Sequence, residues 1–379
     1  MPMYDYIIIG AGASGLLLAD ALGNDAFFHE KKILLLDKNS KQQNDRTWCF
    51  WEAGDGAFDP ILHRTWPKIH FAGRQTTLHE GIAPYTYKML RGIDFYRHYL
   101  EKINGYENIS FTNDEVISVA ETEESVRING KKETYSGKVL FDSRFDYRDL
   151  KMQKKYPVLQ QHFLGWFVKV DRPVFLPNEA TFMDFSIPQK GNTRFMYVLP
   201  FSETEALVEY TLFSETVLPK SAYELAIKGY LKNLSAGGYE ILETEQGNIP
   251  MSCYDFSKEN TNRILKIGIA GGWAKPSTGY TFYNSTKKVK KLVKYLKMRK
   301  PLSQFQRKNR FWFYDLLLLD ILHRDNSLGQ AIFESMFTKR SPRLLLKFLD
   351  EDTSLWEDIQ IIMACPKWPF LKALFRRLL

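Results

Sequence analysis

Two periods of apolar residues alternate along this chain, and the switches between them mark its parts. Near the start, residues 6–9 (YIII) and 33–37 (ILLLD) are short apolar runs with almost no polar interruption. Runs of this kind form strands buried on both faces. Residues 14–22 between them are mostly helix formers, so residues 5–37 predict strand, loop, helix, strand, the opening unit of a doubly wound fold. A helix is predicted over 95–103, with strands over 109–111, 115–121 and 125–128. A buried strand over 138–141 ends in Asp142. From 163 to 213 the pattern changes to alternation, in GWFVKV, NTRFMYVLPF and ALVEYTLF. Alternation predicts antiparallel strands with one face covered. A helix follows over 221–234, then an apolar strand running into glycines over 264–272. From about Ser285 the chain reads as mostly helical, broken by Pro301, Pro342 and Pro366. The class is therefore α/β: a Rossmann-type part (1–150), an inserted antiparallel sheet (151–260), a return to the first part (261–300) and a helical C-terminal region (301–379).

Gly10, Gly12 and Gly15 spell G-A-G-A-S-G directly after the first strand and at the start of the helix. In this setting the glycines permit a tight turn, close approach of backbone to a pyrophosphate, and close packing of helix on strand. The helix N-terminus adds its positive dipole end. Asp37 ends the second strand 22 residues beyond Gly15, where an acid accepts hydrogen bonds from a ribose diol. A dinucleotide site follows from these residues, but they leave FAD and NAD open. The N-terminal position of the fingerprint and the glycine-terminated stretch 264–272 resemble flavoproteins of the glutathione-reductase type, which implies FAD.

Composition alters this picture in three places. Aromatic residues reach 15 %, with 27 Phe, 20 Tyr and 8 Trp, which suits a ring-lined site for an apolar ligand as well as a large aromatic core. The three cysteines form no CxxC pair and the seven histidines no ligand spacing, so no metal site is expected. The net charge of +8 is concentrated: residues 287–310 carry eleven Lys and Arg and no acid, and the apolar segment FWFYDLLLLDIL follows. A basic stretch before an apolar one makes an anionic membrane surface a candidate partner, and a solvated basic helix face fits equally. No nucleic-acid motif accompanies the charge, so nucleic acid is not expected. Nothing at the start reads as a signal peptide, and no run approaches the roughly 18–20 apolar residues of a membrane span. The expected location is the cytoplasm, free or peripheral on the inner face of the cell membrane.

Three further stretches resemble the FAD-dependent lycopene cyclase family, of the bacterial β-cyclase type. NDRTWCFW (44–51) resembles its polar-Thr-Trp-aromatic motif, LVEYT (207–211) the short motif carrying its catalytic acid, and GIAGGWAKPSTGYTF (268–282) its late flavin-binding segment. IPM (249–251) also fits, and the order of the pieces covers essentially the whole chain. Two departures stand out: Tyr210 occupies the place of the plant family's second acid, and Trp273 that of a common flavoprotein Asp.

The resemblance implies a proton-initiated, non-redox cyclisation of acyclic carotene ends to β-type rings, an isomerase-type reaction using bound, reduced FAD. NAD(P)H is a candidate reductant, and the substrate would be an apolar, lycopene-like polyene. Glu209 is implied as the catalytic acid or base, and Arg46, Gly271, Gly272, Thr278, Gly279 and Tyr280 as cofactor contacts beside Gly10, Gly12, Gly15 and Asp37. Trp48, Phe50 and Trp51 fit a core better than a cation cage. On the same scaffold a flavin-dependent monooxygenase, an isoprenoid reductase or a non-catalytic flavin- or lipid-binding protein stay open, because fold does not fix function.

Overall fold

The structure, a computed structural model, describes residues 3–378. The chain opens with β1 (Met3–Ile9), α1 (Ala13–Gly23) and β2 (Ile33–Asp37), then five strands: β3 (Thr47–Ala53), β4 (Arg64–Trp66), β5 (Lys68–Ala72), β6 (Thr77–Gly81) and β7 (Tyr85–Arg91). Next come α2 (Gly92–Asn104), β8 (Ile109–Asn113), β9 (Val116–Glu121), β10 (Val126–Gly130), β11 (Thr134–Asp142) and a short α3 (Tyr147–Met152). The middle consists of β12 (Val158–Val170), β13 (Glu179–Asp184), β14 (Thr193–Pro200), β15 (Glu205–Ser214), α4 (Lys220–Asn233) and β16 (Tyr239–Ser252). After β17 (Ile264–Lys266) the rest is helical: α5 (Phe282–Lys297), α6 (Arg310–Arg324), α7 (Gly329–Lys339), α8 (Pro342–Leu349), α9 (Leu355–Ala364) and α10 (Lys367–Leu378).

These elements form two compact units, each assembled from three stretches of chain. The first comprises the stretch ending at Trp48, Arg91–Lys155 and Tyr254–Asn309. Its sheet runs β8-β2-β1-β11-β10-β9, with β17 paired to β11. β8, β2, β1, β11 and β17 are parallel, while β10 and β9 form an antiparallel margin. Ile7, Ile9, Leu34, Leu36 and Leu140 lie within its core, as their unbroken apolar runs predicted. α5 packs on α1, where Ser14 and Ser285 share a hydrogen bond of 2.9 Å. Phe282, Ser285, Val289 and Leu292 of α5 recur every three or four residues and are buried. The lysines of the basic run occupy the rest of this helix, and Lys297 pairs with Asp25 at 2.5 Å.

The second unit comprises Cys49–Leu90, Tyr156–Cys253 and the chain from Arg310 onward. Its main sheet runs β16-β12-β15-β14-β13-β5-β6, and β3-β7-β4 form a smaller one. One face of the main sheet is covered by α4: Leu164, Trp166, Val198, Val208 and Leu212 pack against Tyr223, Ile227 and Leu231.

Two expectations need correction. The strand predicted over 264–272 stops at Lys266, because Gly268 adopts φ +62° and residues 268–271 wind into a 3₁₀ turn. The apolar segment after the basic run does not face outward. It forms α6, whose Phe311, Leu316, Leu319, Ile321 and Leu322 are buried. The alternating class, the inserted antiparallel sheet and the helical C-terminal region are as the sequence predicted.

Candidate functional site

In the first unit β1 ends in the glycine loop because only glycine fits there. Gly10 has φ +98°, and a Cβ on it would lie 2.0 Å from Ser143 Oγ. At Gly15 a Cβ would lie 1.9 Å from the Gly10 carbonyl oxygen, so its bare backbone lets α1 pack on the turn. Gly12 differs: a Cβ there would meet nothing within 4 Å. It caps α1 without any side-chain hydrogen bond, leaving the helix N-terminus open in the direction a phosphate takes. Asp37 closes the loop from the end of β2. Its carboxylate accepts the Ala11 amide at 2.6 Å and the Asn39 amide at 2.7 Å, with Lys41 at 3.3 Å.

The late segment joins this loop within the same unit. A Cβ on Gly268 would lie 3.0 Å from Ser14 Oγ, and one on Gly271 2.2 Å from the Lys266 carbonyl oxygen. Gly272 and Gly279 adopt left-handed backbone, with φ +64° and +69°. The Lys275 and Tyr280 backbones bond each other at 2.9 Å, which folds Thr278, Gly279 and Tyr280 into a tight turn. Thr278 Oγ1 is buried with no hydrogen-bond partner among the described residues, as is Nε1 of Trp273. The residues thus fit a flavin nucleotide on two counts: an open glycine cradle at a helix N-terminus and a buried hydroxyl left for a ligand.

Arg46 is paired with Asp45 at 3.0 Å, and Asp45 accepts the Tyr96 hydroxyl at 2.7 Å. The loop also starts α2, since Asn44 Oδ1 and the Arg46 carbonyl accept the Ile93 and Gly92 amides. Trp48 stacks on Phe282 at 5.1 Å and meets Phe95 edge-on. Phe50 and Trp51, in the second unit, are buried, and Trp51 Nε1 donates to the Leu346 carbonyl at 3.1 Å. Phe50 and Trp51 are core, and Trp48 is half-buried. Asp142 accepts from Arg144 and from Lys266 at 3.0 Å, a pairing that fastens β17 to β11.

Glu209 lies at the centre of the second unit's main sheet, on the face away from α4. Alternation explains this: Val208, Tyr210 and Leu212 point into the α4 core, so Leu207, Glu209 and Thr211 point the other way. Tyr210, in the place of the plant family's second acid, donates nothing to that face. Its hydroxyl accepts from Arg194 at 2.8 Å on the α4 side. Phe163 and Phe195 flank Thr211 on the neighbouring strands, and Phe167 flanks Leu207. Tyr197 stands directly opposite Glu209 and shares a 2.7 Å hydrogen bond with Tyr87. Cys49 hydrogen-bonds with both tyrosines, so β3 and β7 bring polar groups to the same face.

The electrostatics follow from this burial. Glu209 is 7 % exposed and accepts one side-chain hydrogen bond, from Thr211. Desolvation, reinforced by the Glu245 carboxylate, pushes its carboxyl up to about 8, against the smaller opposing effect of Thr211. Burial likewise pushes the Cys49 thiol far above its ordinary value. These effects favour the neutral acid form of Glu209, on a face that carries several rings. Sequence reasoning missed Tyr197, Gly165 and Glu245, which share its row; around Glu245 the run TEQGN carries no apolar alternation that could have set it apart.

Comparison with known proteins gives a consistent result. The family described as lycopene cyclase protein matches residues 5–375. The chain is 26 % identical over 298 residues to a lycopene beta-cyclase of Paracoccus sp. (strain N81106 / MBIC 01143), covering 73 % of this chain and 70 % of that one. A lycopene beta-cyclase of Pantoea ananas is 25 % identical over 292 residues, covering 74 % and 71 %. Among solved structures, halogenase PltM in complex with phloroglucinol and FAD superposes with a TM-score of 0.61 at 12 % identity, covering 99 % and 90 %. A geranylgeranyl bacteriochlorophyll reductase-like protein of Thermoplasma acidophilum gives 0.59 at 12 % identity, covering 99 % and 96 %. At such identities the structural matches establish the shared fold alone.

Proposed function

The chain belongs to the lycopene cyclase family, and on that premise we propose that it cyclises the ends of an acyclic, lycopene-like carotene to β-type rings, with Glu209 as the acid. The observation carrying this reading is a carboxyl buried on an aromatic sheet face, where desolvation and the facing Glu245 favour its protonated form. Glu209 delivers its proton to the terminal alkene of the polyene. The internal alkene attacks the resulting cation and closes a six-membered ring, and a ring proton leaves to restore a double bond. One proton enters, one leaves, and no electron is exchanged. The Glu209 carboxylate formed in the first step is a base for the last. Phe163 and Phe195 oppose Thr211 and Phe167 opposes Leu207 on the neighbouring strands, so aromatic rings that can stabilise a cation share the face of Glu209, and burial keeps water from quenching that cation.

FAD is the proposed cofactor, held by Gly10, Gly12, Gly15 and Asp37 at the nucleotide end and by Gly271, Gly272, Thr278, Gly279 and Tyr280 at the other, with Arg46 as a further contact. In its reduced form FAD supplies an electron-rich ring system suited to stabilising positive charge, and NAD(P)H is the proposed reductant.

An anionic membrane surface is the proposed partner, through α9 and α10 rather than the basic run. Both helices carry apolar stripes that face solvent: Leu355, Ile359 and Ile362 on one, and Trp368, Leu371 and Phe375 on the other. Each recurs every three or four residues, so each forms one helix face. Lys367 and Lys372 are exposed beside the α10 stripe, while Glu357 and Asp358 of α9 are paired with Lys347 and Arg310. Such a surface suits lipid headgroups over an apolar boundary, where a polyene substrate resides. No helix among the described residues is long and apolar enough to cross a membrane.

The test is pigment analysis of a lycopene-accumulating bacterial host expressing this chain or its Glu209→Gln variant. Cyclic carotene of unchanged oxidation level is expected from the parent alone. An oxygenated or hydrogenated product would overturn the reading in favour of a monooxygenase or reductase.

A further inference from the structure

Four adjacent strands align one row of residues across the face that carries Glu209. Tyr197 on β14 opposes Glu209 on β15, Glu209 opposes Gly165 on β12, and Gly165 opposes Glu245 on β16. Directly opposed residues share a sheet face, so the two glutamates stand on the same side, about 10 Å apart at the backbone across two strand spacings. Between them Gly165 has no side chain. A Cβ built there would lie 3.4 Å from Glu209 Cβ and 3.4 Å from Glu245 Cγ, so both side chains lean over the glycine. It would also lie 2.9 Å from Leu207 Cδ1, which leaves no room for alanine without displacement.

β16 is the edge strand, and its alternation is functional in outline. Thr244, Gln246 and Asn248 are exposed, whereas Glu243, Glu245, Gly247 and Ile249 are half-buried on the inner face. Gly247 serves Phe163, whose ring would lie 2.3 Å from a Cβ there and so lies across the bare strand. Glu243 opposes Phe167, one step further along the face, and only Glu245 opposes the glycine beside Glu209.

We propose that Glu245 is a positioning residue of the acid site: facing Glu209 across Gly165, it carries the negative charge of the pair and so leaves the proton on Glu209, while Gly165 keeps the floor between them open for the polyene end. This rests on the reading of Glu209 as the acid. The groups facing Glu209 are Glu245 from β16, Tyr197 from β14, Cys49 from β3 and Thr211 from its own strand. Tyr197 and Cys49 are hydrogen-bonded to each other, burial holds the Cys49 thiol well above its ordinary value, and the charge that acts on Glu209 is that of Glu245. Two facing carboxylates resist ionising together, and the more buried one retains its proton.

The experiment is a pH titration of the Glu209 carboxyl by infrared difference spectroscopy on the full chain, its band identified by loss in Glu209→Gln. In Glu245→Gln the midpoint is expected to move down by about one pH unit, a roughly tenfold change in protonated fraction above it. The alkaline limb of the cyclisation rate should move by the same amount. Glu245→Asp keeps the charge and should stay near the parent. Glu245→Thr, a good strand former at an edge, replaces the Gln variant if that one fails to fold. A midpoint unmoved in the neutral variants overturns the proposal, even if cyclisation stands. A midpoint that moves in a chain that cyclises nothing upholds the pairing and overturns the cyclase reading.

Discussion

Thr211 donates its hydroxyl to Oε1 of Glu209 at 2.5 Å, two residues along one strand and on one face. This is a restraint on the acid: it favours the carboxylate and so opposes the burial that raises the group. Replacing Thr211 with Val removes the donor at nearly constant shape. A hydrogen bond to a charged group is worth about 1.5–3 kcal/mol, and about 1.4 kcal/mol corresponds to one pH unit. Thr211→Val is therefore expected to move the alkaline limb of activity upward by about one to two units, opposite in direction to Glu245→Gln. A pH–rate profile on the two variants checks the sign, and a shift in the same direction for both would contradict this account of the site.

Burying an acid in its neutral form also has a consequence for stability. The folded chain holds the Glu209 proton up to about pH 8, whereas an exposed glutamate loses it near 4.5. The contribution is thus complete below about pH 4.5, declines as pH rises, and is gone above about 8. In Glu209→Gln this dependence should vanish. At pH 9 the variant is expected to melt a few degrees above the parent, since about 1 kcal/mol moves Tm by about 2–4 °C in domains of 150–250 residues. Calorimetry at pH 6 and pH 9 gives the comparison, and equal slopes for the two proteins would exclude a buried, protonated Glu209.

What the sequence revealed and concealed follows from how each residue is buried. The buried ends of β1 and β2 leave short unbroken apolar runs, Ile7 to Ile9 and Leu34 to Leu36, whose strand length and flanking glycine loop point to a buried parallel strand. The alternation of β15 likewise sets Glu209 apart from Val208 and Tyr210 before any coordinates. β16 was illegible for the opposite reason. As an edge strand it exposes Glu240, Leu242, Thr244 and Gln246, and its inner face carries two more glutamates, so no apolar period survives. α6 misled in turn, because a leucine-rich helix reads alike whether it faces lipid or a protein core.

Cys49 offers a check on the surroundings of Glu209. Desolvation and the nearby Glu245 and Glu209 hold its thiol high, so the reactive thiolate is scarce. Iodoacetamide at pH 8 is expected to leave Cys49 unmodified in the native chain and to modify it after denaturation. Mass spectrometry of the peptide would reveal rapid native labelling, which would mean that this face is open to water.

The glycine loop separates folding from binding. Gly15 has no space for a methyl group, since a Cβ would sit 1.9 Å from the Gly10 carbonyl oxygen, a fixed backbone atom. Gly15→Ala must push α1 off β1 and is expected to cost several kcal/mol, or folding itself. At Gly12 the same methyl group would enter open space. Gly12→Ala is expected to fold with nearly the parent Tm but to place its methyl where a pyrophosphate approaches, lowering flavin content at least tenfold. Absorbance near 450 nm of the purified, oxidised variants, beside their melting curves, distinguishes the two.

The α9 and α10 stripes are exposed at a cost that a protein-free surface does not repay. Trp356 is 69 % exposed and Trp368 75 %, and indole side chains favour the boundary between headgroups and acyl chains. If these helices lie on an anionic bilayer, Trp356→Ala together with Trp368→Ala removes apolar contact without touching the core, because neither ring is packed inside. Binding to liposomes rich in anionic lipid should then fall at least tenfold while Tm is retained. Neutralising lysines of the α5 run, Lys287 and Lys291 among them, should have the smaller effect, since that run has no exposed apolar stripe of its own beyond Met298. Flotation of both variants with the parent decides the matter. Equal flotation of the double tryptophan variant would remove α9 and α10 as the docking face, and loss only in the lysine variant would return the contact to the basic run.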